Sequence, residues 1–161
     1  MRGRDKLMED VDGQPLLRRQ TRLAQSVGPV MVALPPAPHP RYSAVTGLDI
    51  TPLPIPDAAE GMGASLRRAF TDLPPDTAAA MVMLADMPDL EPSDLACLAG
   101  HPIIFAAALF DQLKRLSGDD GGRAVVHGAG ARVQMVPLPG QRARLDLDTP
   151  EDWAAWRKPQ E

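Results

Sequence analysis

Two amphipathic helical patterns are each followed by a fully apolar segment, and this order is the feature that most restricts the fold. The pattern in residues 15–28 (PLLRRQTRLAQSVG) leads into the apolar run 29–34 (PVMVAL). The pattern in 61–73 (GMGASLRRAFTDL) leads, after a proline-containing loop, into 78–85 (AAAMVMLA). Apolar runs without alternation are typical of strands that are covered on both faces. We therefore predict a three-layer α/β fold with a mostly parallel central sheet.

Further segments continue this alternation. Helices are predicted over 105–116 and 149–158, and a strand over 131–138. Thr149 and Ser93 are predicted N-caps, each of a helix that begins close to a proline. In the first helix the predicted buried stripe consists of Leu16, Leu17, Leu23, Ala24 and Val27.

Composition limits the class of protein. A chain of 161 residues with 44% hydrophobic and 24% charged residues fits a single globular domain, which we place at 1–161. The net charge of −4 gives no basic excess for binding nucleic acid or a membrane surface. A single cysteine, Cys97, and three scattered histidines favour neither a disulfide nor a zinc site. With no apolar run of about 18 residues, we expect a cytoplasmic protein without a membrane anchor.

Asp86 is the first candidate for chemistry. It follows the apolar run 78–85 directly, and Pro88 restricts the chain after it. In parallel α/β sheets, ligands bind beyond the carboxyl ends of the strands. Magnesium prefers hard oxygen ligands and is usually held by one or two carboxylates together with substrate phosphates. The alternative is that Asp86 only begins a turn or caps a helix.

Two further segments could hold a nucleotide. Arg2, Arg4 and Lys6 lie around Gly3 and could grip a triphosphate, although a solvated basic patch is the alternative. The segment 60–65 (EGMGAS) opens a predicted helix with two glycines, which lets backbone N–H groups approach a phosphate or a base. A plain helix start is the alternative for this second segment.

A fourth candidate segment, 145–153 (LDLDTPEDW), is acidic and precedes the last predicted helix. Alternation along a strand places the side chains of Asp146 and Asp148 on one face, from which one of them could join Asp86 on a metal. The alternative is an acidic helix N-terminus, which accounts for Glu151 and Asp152 but less well for the two strand aspartates.

Taken in order, these segments resemble the molybdenum cofactor nucleotidyltransferases, and their cytidylyltransferase branch in particular. The resemblance runs over nearly the whole chain, and its most specific pieces are GMGASL, ADMP, GHPIIF and DLDTPEDW. The resemblance implies a Rossmann-like fold. It also implies magnesium-dependent transfer of CMP from CTP, or of GMP from GTP in the sister branch, to the terminal phosphate of molybdopterin, with release of pyrophosphate.

The resemblance also implies roles for individual residues. Lys6 and Asp86 would be catalytic, with Lys6 neutralising charge on the triphosphate and Asp86 binding Mg²⁺. Asp148 would be the second metal ligand, with Asp146 as the alternative. The residues implied to contact the nucleotide are Arg2, Arg4, Lys6, Gly61, Met62, Gly63 and Ser65. Those implied to contact the acceptor are Gly100, His101 and Pro102.

The chain departs from the family pattern at two places. The family begins with a strand and a glycine-rich loop that have no counterpart before Met1, and it carries a further strand and loop where Ala99 here runs directly into Gly100. We expect both stretches to belong to the polypeptide and to be omitted from this sequence. A real deletion would remove a central strand and the activity.

Two alternatives to this function stay open. The acceptor could be another phosphorylated compound, such as a sugar phosphate or methylerythritol phosphate, although GMGASL and GHPIIF resemble the pterin branch. The protein could instead be a non-catalytic carrier that holds the cofactor for a recipient molybdoenzyme. Substitution of Asp86 by Asn separates these readings, because an enzyme should lose turnover while a carrier should retain pterin binding.

Overall fold

The computed structural model of the protein describes residues 5–96, 102–118, 121–134 and 147–157. Within these ranges helices alternate with short strands, so the predicted mixed α/β character is confirmed. The strands form three separate pairs, of which one is parallel and two are antiparallel. The described part of the chain therefore lacks the mostly parallel sheet that the sequence predicts. None of its helices has the length and apolar character needed to cross a bilayer.

A small antiparallel hairpin opens the fold. Its strands are β1 (Asp10–Val11) and β2 (Gln14–Pro15). The two turn residues, Asp12 and Gly13, have φ angles of 54° and 80°. Positive φ at both central residues is characteristic of the tight hairpin turn that Asp-Gly favours. The hairpin directs the chain straight into the first helix.

The first helix–strand unit follows the predicted pattern. It contains α1 (Leu16–Gln25), β3 (Met31–Leu34), α2 (Arg41–Val45) and β4 (Thr51–Pro54). Strands β3 and β4 pair in parallel. A parallel pair needs a long crossover, and the segment containing α2 supplies it.

The buried face of α1 differs from the predicted stripe. Leu16 and Leu17 are buried, but the remaining buried positions are Gln20 and Thr21, and Val27 is 49% exposed beyond the helix end. The spacing of the buried positions is still that of one helix face. Polar side chains can occupy it because they have partners, such as the Leu17 carbonyl that accepts the Thr21 hydroxyl at 2.7 Å.

The second unit contains α3 (Met62–Thr71), β5 (Ala79–Val82), α4 (Pro92–Ala96) and β6 (Ile103–Ala106). The positions of α3 and β5 agree with the sequence prediction. Strands β5 and β6, however, pair in antiparallel orientation.

The predicted helix over 105–116 is largely wrong. Its first residues belong to β6, a 3₁₀ turn follows at Ala107–Leu109, and only α5 (Phe110–Leu113) is α-helical. Phe105 continues the run 103–105 (IIF), whose β-branched and aromatic residues favour a strand. Pairing with β5 then outweighs the helical spacing that follows.

The remaining helices are α6 (Arg123–Ala129) and α7 (Pro150–Trp156). Thr149 caps α7 as predicted. Ser93 is not an N-cap, because α4 begins at Pro92. The strand predicted over 131–138 is also wrong in its first part, because Gly130–Arg132 forms a 3₁₀ turn, and residues 135–138 lie outside the described ranges.

Three apolar clusters hold these elements together. The cluster of the second unit consists of Leu66, Phe70, Phe105, Phe110, Leu113, Leu116 and Val125. The cluster of the first unit consists of Leu17, Val32, Leu34, Ala44 and Val45. The third consists of Val11, Leu16, Leu147 and Trp153, so it joins the hairpin and the start of α1 to α7. This third cluster brings the two ends of the described chain together.

A partly open cleft of about 1170 Å³ separates the two units. It is lined by β3 and β5 and by residues of α1 and α3. The carbonyls of Val30 and Leu34 accept hydrogen bonds from the β4 side, at 2.9 and 2.8 Å. Because alternate residues of a strand direct their backbone groups to opposite sides, those of Met31 and Ala33 are directed away from β4.

The same geometry holds at the other wall of the cleft. The Ala78 carbonyl accepts a hydrogen bond from the Ala107 N–H at 2.9 Å, on the side of β6. The backbone groups of Ala79 and Met81 are therefore directed away from β6. Both strands thus present an edge that pairs with no other strand of the described chain.

Candidate functional site

Three of the residues selected from the sequence meet at one point. The Lys6 ammonium lies 2.7 Å from Oδ2 of Asp86 and 2.6 Å from Oδ1 of Asp148. These residues come from the start, the middle and the end of the chain, and we call them the Lys6 cluster. Lys6 and Asp86 are 25% and 20% exposed, whereas Asp148 is 66% exposed. The cluster is therefore anchored on one side and open to solvent on the other.

The backbone of Lys6 is held in place by contacts of the preceding residue, Asp5. Lys6 begins a 3₁₀ turn, Lys6–Met8, and Asp5 caps this turn by accepting the Leu7 N–H at 3.1 Å. The Arg41 guanidinium donates two further hydrogen bonds to the Asp5 carboxylate, at 2.7 and 2.9 Å. Partial burial works against ionisation of Asp5, but the hydrogen bonds and charge of Arg41 outweigh it and lower the Asp5 pKa. The backbone of Lys6 is thereby held while its side chain extends.

Asp86 lies in a turn four residues beyond the end of β5. The loop that follows, 87–89, is held from two helices. From α1, Gln20 Nε2 donates to the Met87 carbonyl at 2.9 Å, and the Arg19 guanidinium donates to the Pro88 carbonyl. From α7, Trp156 Nε1 donates to the Asp89 carboxylate at 2.7 Å. We call these three hydrogen bonds the 87–89 clamp. They fix the position of the Asp86 carboxylate.

Asp148 is positioned by its two neighbours. Leu147 is 1% exposed in the core, and Thr149 begins the capping box of α7. In that box the Thr149 hydroxyl accepts the Asp152 N–H at 3.1 Å, and the Asp152 carboxylate accepts the Thr149 N–H at 2.8 Å. Two hydrogen bonds lower the pKa of the Asp152 carboxyl. The one with the Thr149 side chain has the larger effect, and the one with the Thr149 backbone has the smaller.

The donor set of the Lys6 cluster suits a cation. Asp86 and Asp148 place two carboxylate oxygens around one positive charge. Hard oxygen donors of this kind match Mg²⁺ or Mn²⁺, and one or two protein carboxylates are usual where phosphates complete the coordination. Within the described ranges no group of three or more His, Cys, Asp or Glu residues gathers as a metal site. Asp146 lies outside them.

The glycine segment 61–65 lies at the start of α3. Gly61 precedes the helix with a φ of 112°, in the region that favours glycine. A Cβ on Gly63 would lie 2.7 Å from the Gly118 carbonyl oxygen, and the Gly63 N–H donates to that oxygen at 2.9 Å. Close contact between α3 and the 117–118 turn therefore accounts for this glycine. Met62 is 46% exposed, and Ser65 is half-buried.

The remaining residues selected from the sequence either lie outside the described ranges or are buried. Arg2, Arg4, Gly100 and His101 lie outside the described ranges. Pro102 is fully buried directly before β6, so its side chain is part of the protein interior.

Sequence reasoning missed the residues that support the cluster. Arg41, Gln20, Arg19 and Trp156 were not selected, although each donates a hydrogen bond that holds Asp5 or the 87–89 loop. Gln20 offers the clearest signal, because it falls on the same helix face as Leu16. The long-range partners of the other three have no local pattern in the sequence.

Comparison with known proteins places these observations in context. Residues 1–99 match the family model described as MobA-like NTP transferase domain. Rv0371c from Mycobacterium tuberculosis H37Rv has a similar structure, with a TM-score of 0.75 and 24% identity over 96% of this chain and 90% of that one. A structure of Rv0371c in complex with manganese has a TM-score of 0.79 and 24% identity, over 95% and 91% of the two chains. No curated protein matches the sequence.

Proposed function

The chain belongs to the MobA-like NTP transferase domain family, and from this we propose that it is a metal-dependent cytidylyltransferase acting on molybdopterin. The reaction would move CMP from CTP to the terminal phosphate of molybdopterin and release pyrophosphate. The family membership supports nucleotidyl transfer, and the choice of CTP and molybdopterin rests on the sequence resemblance. The observation that carries the proposal is the meeting of Lys6, Asp86 and Asp148.

Asp86 and Asp148 would hold the divalent cation, with Asp146 as the alternative second ligand. We propose Mg²⁺, and the manganese complex of Rv0371c supports a divalent cation in this fold. When bound, such a cation polarises phosphoryl oxygens and offsets the charge that develops on them. The 87–89 clamp would keep the Asp86 carboxylate in place without a contribution from the substrate.

The protein's own contribution is positioning and charge. Lys6 would place its ammonium against the triphosphate, where a compact positive charge offsets charge on the leaving pyrophosphate. The acceptor phosphate is already a nucleophile, so no strong general base is needed. Correct alignment of the two phosphates accounts for most of the catalysis that such a site can supply.

Two groups of residues would set specificity. Gly100, His101 and Pro102 would contact the acceptor, with Pro102 acting through its backbone because its side chain is buried. The proposed contacts to the nucleotide are Arg2, Arg4, Gly61, Met62, Gly63 and Ser65.

The setting of the reaction is also a proposal. We propose a cytoplasmic enzyme that passes its product to a molybdoenzyme and has neither nucleic acid nor a membrane as a partner.

We further propose that the whole chain, 1–161, forms one Rossmann-like domain of three layers. The unpaired edges of β3 and β5 support this, because a strand placed between them would join the two units into one sheet. Such a strand parallel to β3 would extend the parallel part of the sheet that the sequence predicts.

Turnover with each nucleotide tests the proposal. The purified protein is incubated with Mg²⁺, molybdopterin and either CTP or GTP, and released pyrophosphate is measured. We expect turnover with CTP, and a loss on the order of 100-fold or more in Asp86→Asn. Asp111→Asn serves as control, because it removes a carboxylate that is 81% exposed on α5. Turnover with GTP alone would assign the sister reaction.

A carrier is the second candidate. It would bind molybdopterin equally well in the native protein and in Asp86→Asn, with no pyrophosphate released by either. That result, obtained with folded protein by circular dichroism, would contradict the enzyme.

A further inference from the structure

We propose that the Lys6 ammonium and the divalent cation compete for the same two carboxylates, so that cation binding releases Lys6 toward the phosphates. The inference rests on the proposed function, because it takes Asp86 and Asp148 as the cation ligands. It adds an order of binding, with the cation before the contact between Lys6 and phosphate, that nucleotidyl transfer alone does not require. Lys6 would hold the site together before the cation arrives and would contact phosphate only afterwards.

A cation bound between the two oxygens that Lys6 contacts would occupy the place of the ammonium. The Lys6 nitrogen lies 2.7 and 2.6 Å from one oxygen of each carboxylate. A magnesium ion sits about 2.0–2.1 Å from its oxygen ligands, in the same space between them. An ammonium placed there would also repel the incoming ion strongly at such short range. Binding of the metal to both oxygens therefore requires the side chain of Lys6 to move.

The balance of charge favours the exchange. A divalent cation carries twice the charge of the ammonium and would neutralise the two carboxylates completely. Asp148 is 66% exposed, so the cation can reach the cluster from solvent without any opening of the core. The ion pair with this exposed carboxylate is of the kind that contributes little and can be replaced.

The surrounding structure confines this movement to the side chain. The hydrogen bonds from Arg41 to Asp5 and from the Leu7 N–H to Asp5 anchor the 3₁₀ turn that carries Lys6. The 87–89 clamp anchors the Asp86 side of the cluster in the same way. Four rotatable bonds of lysine then let the ammonium swing to a new anionic partner while the backbone stays fixed. A bound triphosphate would supply that partner.

Binding of Mn²⁺ alone, without nucleotide, tests the competition. The dissociation constant is measured by the electron paramagnetic resonance signal of free Mn²⁺ for the native protein, Lys6→Met and Lys114→Met. Lys114→Met removes the same charge from an exposed position on another part of the surface. We expect Lys6→Met to bind Mn²⁺ about tenfold more tightly than the native protein, and Lys114→Met to bind it like the native protein.

Whether Lys6→Met binds Mn²⁺ more tightly or more weakly than the native protein separates competition from a structural role. If Lys6 only held the site in shape, its removal would weaken Mn²⁺ binding. Equal or weaker binding by Lys6→Met would overturn the competition and leave the proposed function standing. If neither the native protein nor Lys6→Met binds Mn²⁺ without nucleotide, the competition is wrong, and the turnover assay with CTP still decides the proposed function.

A second measurement needs no variant. Reductive methylation of the native protein is followed by mass spectrometry at Lys6 and Lys114, with and without Mn²⁺. We expect Mn²⁺ to increase the labelling rate of Lys6 several-fold relative to Lys114, because the amine leaves its two carboxylates. Unchanged or slower labelling of Lys6 in protein that binds Mn²⁺ would contradict the release.

Discussion

Single residues decide how firmly the Lys6 cluster is held, and the contribution of Asp5 depends on pH. Partial burial raises the pKa of the Asp5 carboxyl, but the contacts with Arg41 outweigh it and hold this pKa below its ordinary value of 3.8. A lowered pKa in the folded state means that the unfolded chain takes up the proton first as pH falls. The stabilisation by Asp5 is therefore complete above pH 3.8 and is lost as pH falls through the folded-state pKa.

The first prediction follows from the lowered pKa of Asp5. At pH 6 the native protein should unfold at a higher urea concentration than Asp5→Asn, and the difference should shrink toward zero as pH falls below about 3.8. Asp111→Asn is the control, because its exposed carboxylate lies 3.6 Å from Lys114 and should matter little at either pH. A difference between the native protein and Asp5→Asn that stays constant with pH would contradict the assignment.

At the same scale, the sequence alone indicated which carboxylates to consider but not how they are held. Asp86 and Asp148 were selected because each ends a segment with strand character, and such positions can be found locally. The structure brings both to Lys6, and their catalytic roles stay predictions. Arg41 could not be found this way, because its partner Asp5 lies 36 residues earlier and no periodic pattern connects them.

At the scale of elements, the clamp on loop 87–89 allows a test that separates activity from stability. Trp156→Phe removes the N–H that donates to Asp89 but keeps an aromatic ring beside Trp153. We expect turnover to fall by roughly tenfold, because a loosened Asp86 is misplaced, while the melting temperature changes little.

Trp153→Phe is the matched control for this prediction. The Trp153 Nε1 is buried and has no hydrogen-bond partner among the described residues, and its ring belongs to the third apolar cluster. Its replacement should lower the melting temperature by leaving a cavity, while the folded fraction retains its turnover. Equal effects of both variants on turnover would show that the Asp89 hydrogen bond has no special role.

A second prediction at this scale concerns the packing of α3 against the 117–118 turn. Gly63→Ala would place a methyl group 2.7 Å from the Gly118 carbonyl oxygen, so we expect a loss of about 1–3 kcal/mol in the free energy of unfolding. Gly128→Ala makes the same change inside α6, where nothing lies within 4 Å, and should gain about 0.5–1 kcal/mol. Urea unfolding of both variants measures the contrast, and a neutral Gly63→Ala would contradict the close contact.

Secondary structure can be predicted from the sequence where a local signal exists, but not where it depends on long-range pairing. The start of α7 was predictable because Thr149, Pro150 and Asp152 form a local signal. The β1–β2 hairpin has an equally local Asp-Gly signal, although no hairpin was predicted there. The antiparallel pairing of β5 with β6 has no such signal, since it depends on contacts between residues more than twenty positions apart.

At the scale of the whole molecule, the cleft between the two units is the feature with the widest consequence. Its walls are two strand edges, and backbone groups that lack a partner inside a protein are costly. No periodicity in the sequence predicts such a cleft, because it depends on how the two units are placed rather than on any one segment. The proposed three-layer fold requires these edges to be available for a further strand.

Hydrogen exchange by nuclear magnetic resonance on the 161-residue chain tests whether the edges are open. The amides of Met31 and Ala79 are directed into the cleft, whereas those of Val32 and Ala80 are directed toward β4 and β6. We expect the first pair to exchange at least about tenfold faster than the second, because only the second pair is protected by ladder hydrogen bonds. Each comparison is between neighbours in one strand, so local unfolding of the whole strand affects both amides equally. Equal protection would mean that both edges are already paired, and the cleft would then not be the place where the sheet is completed.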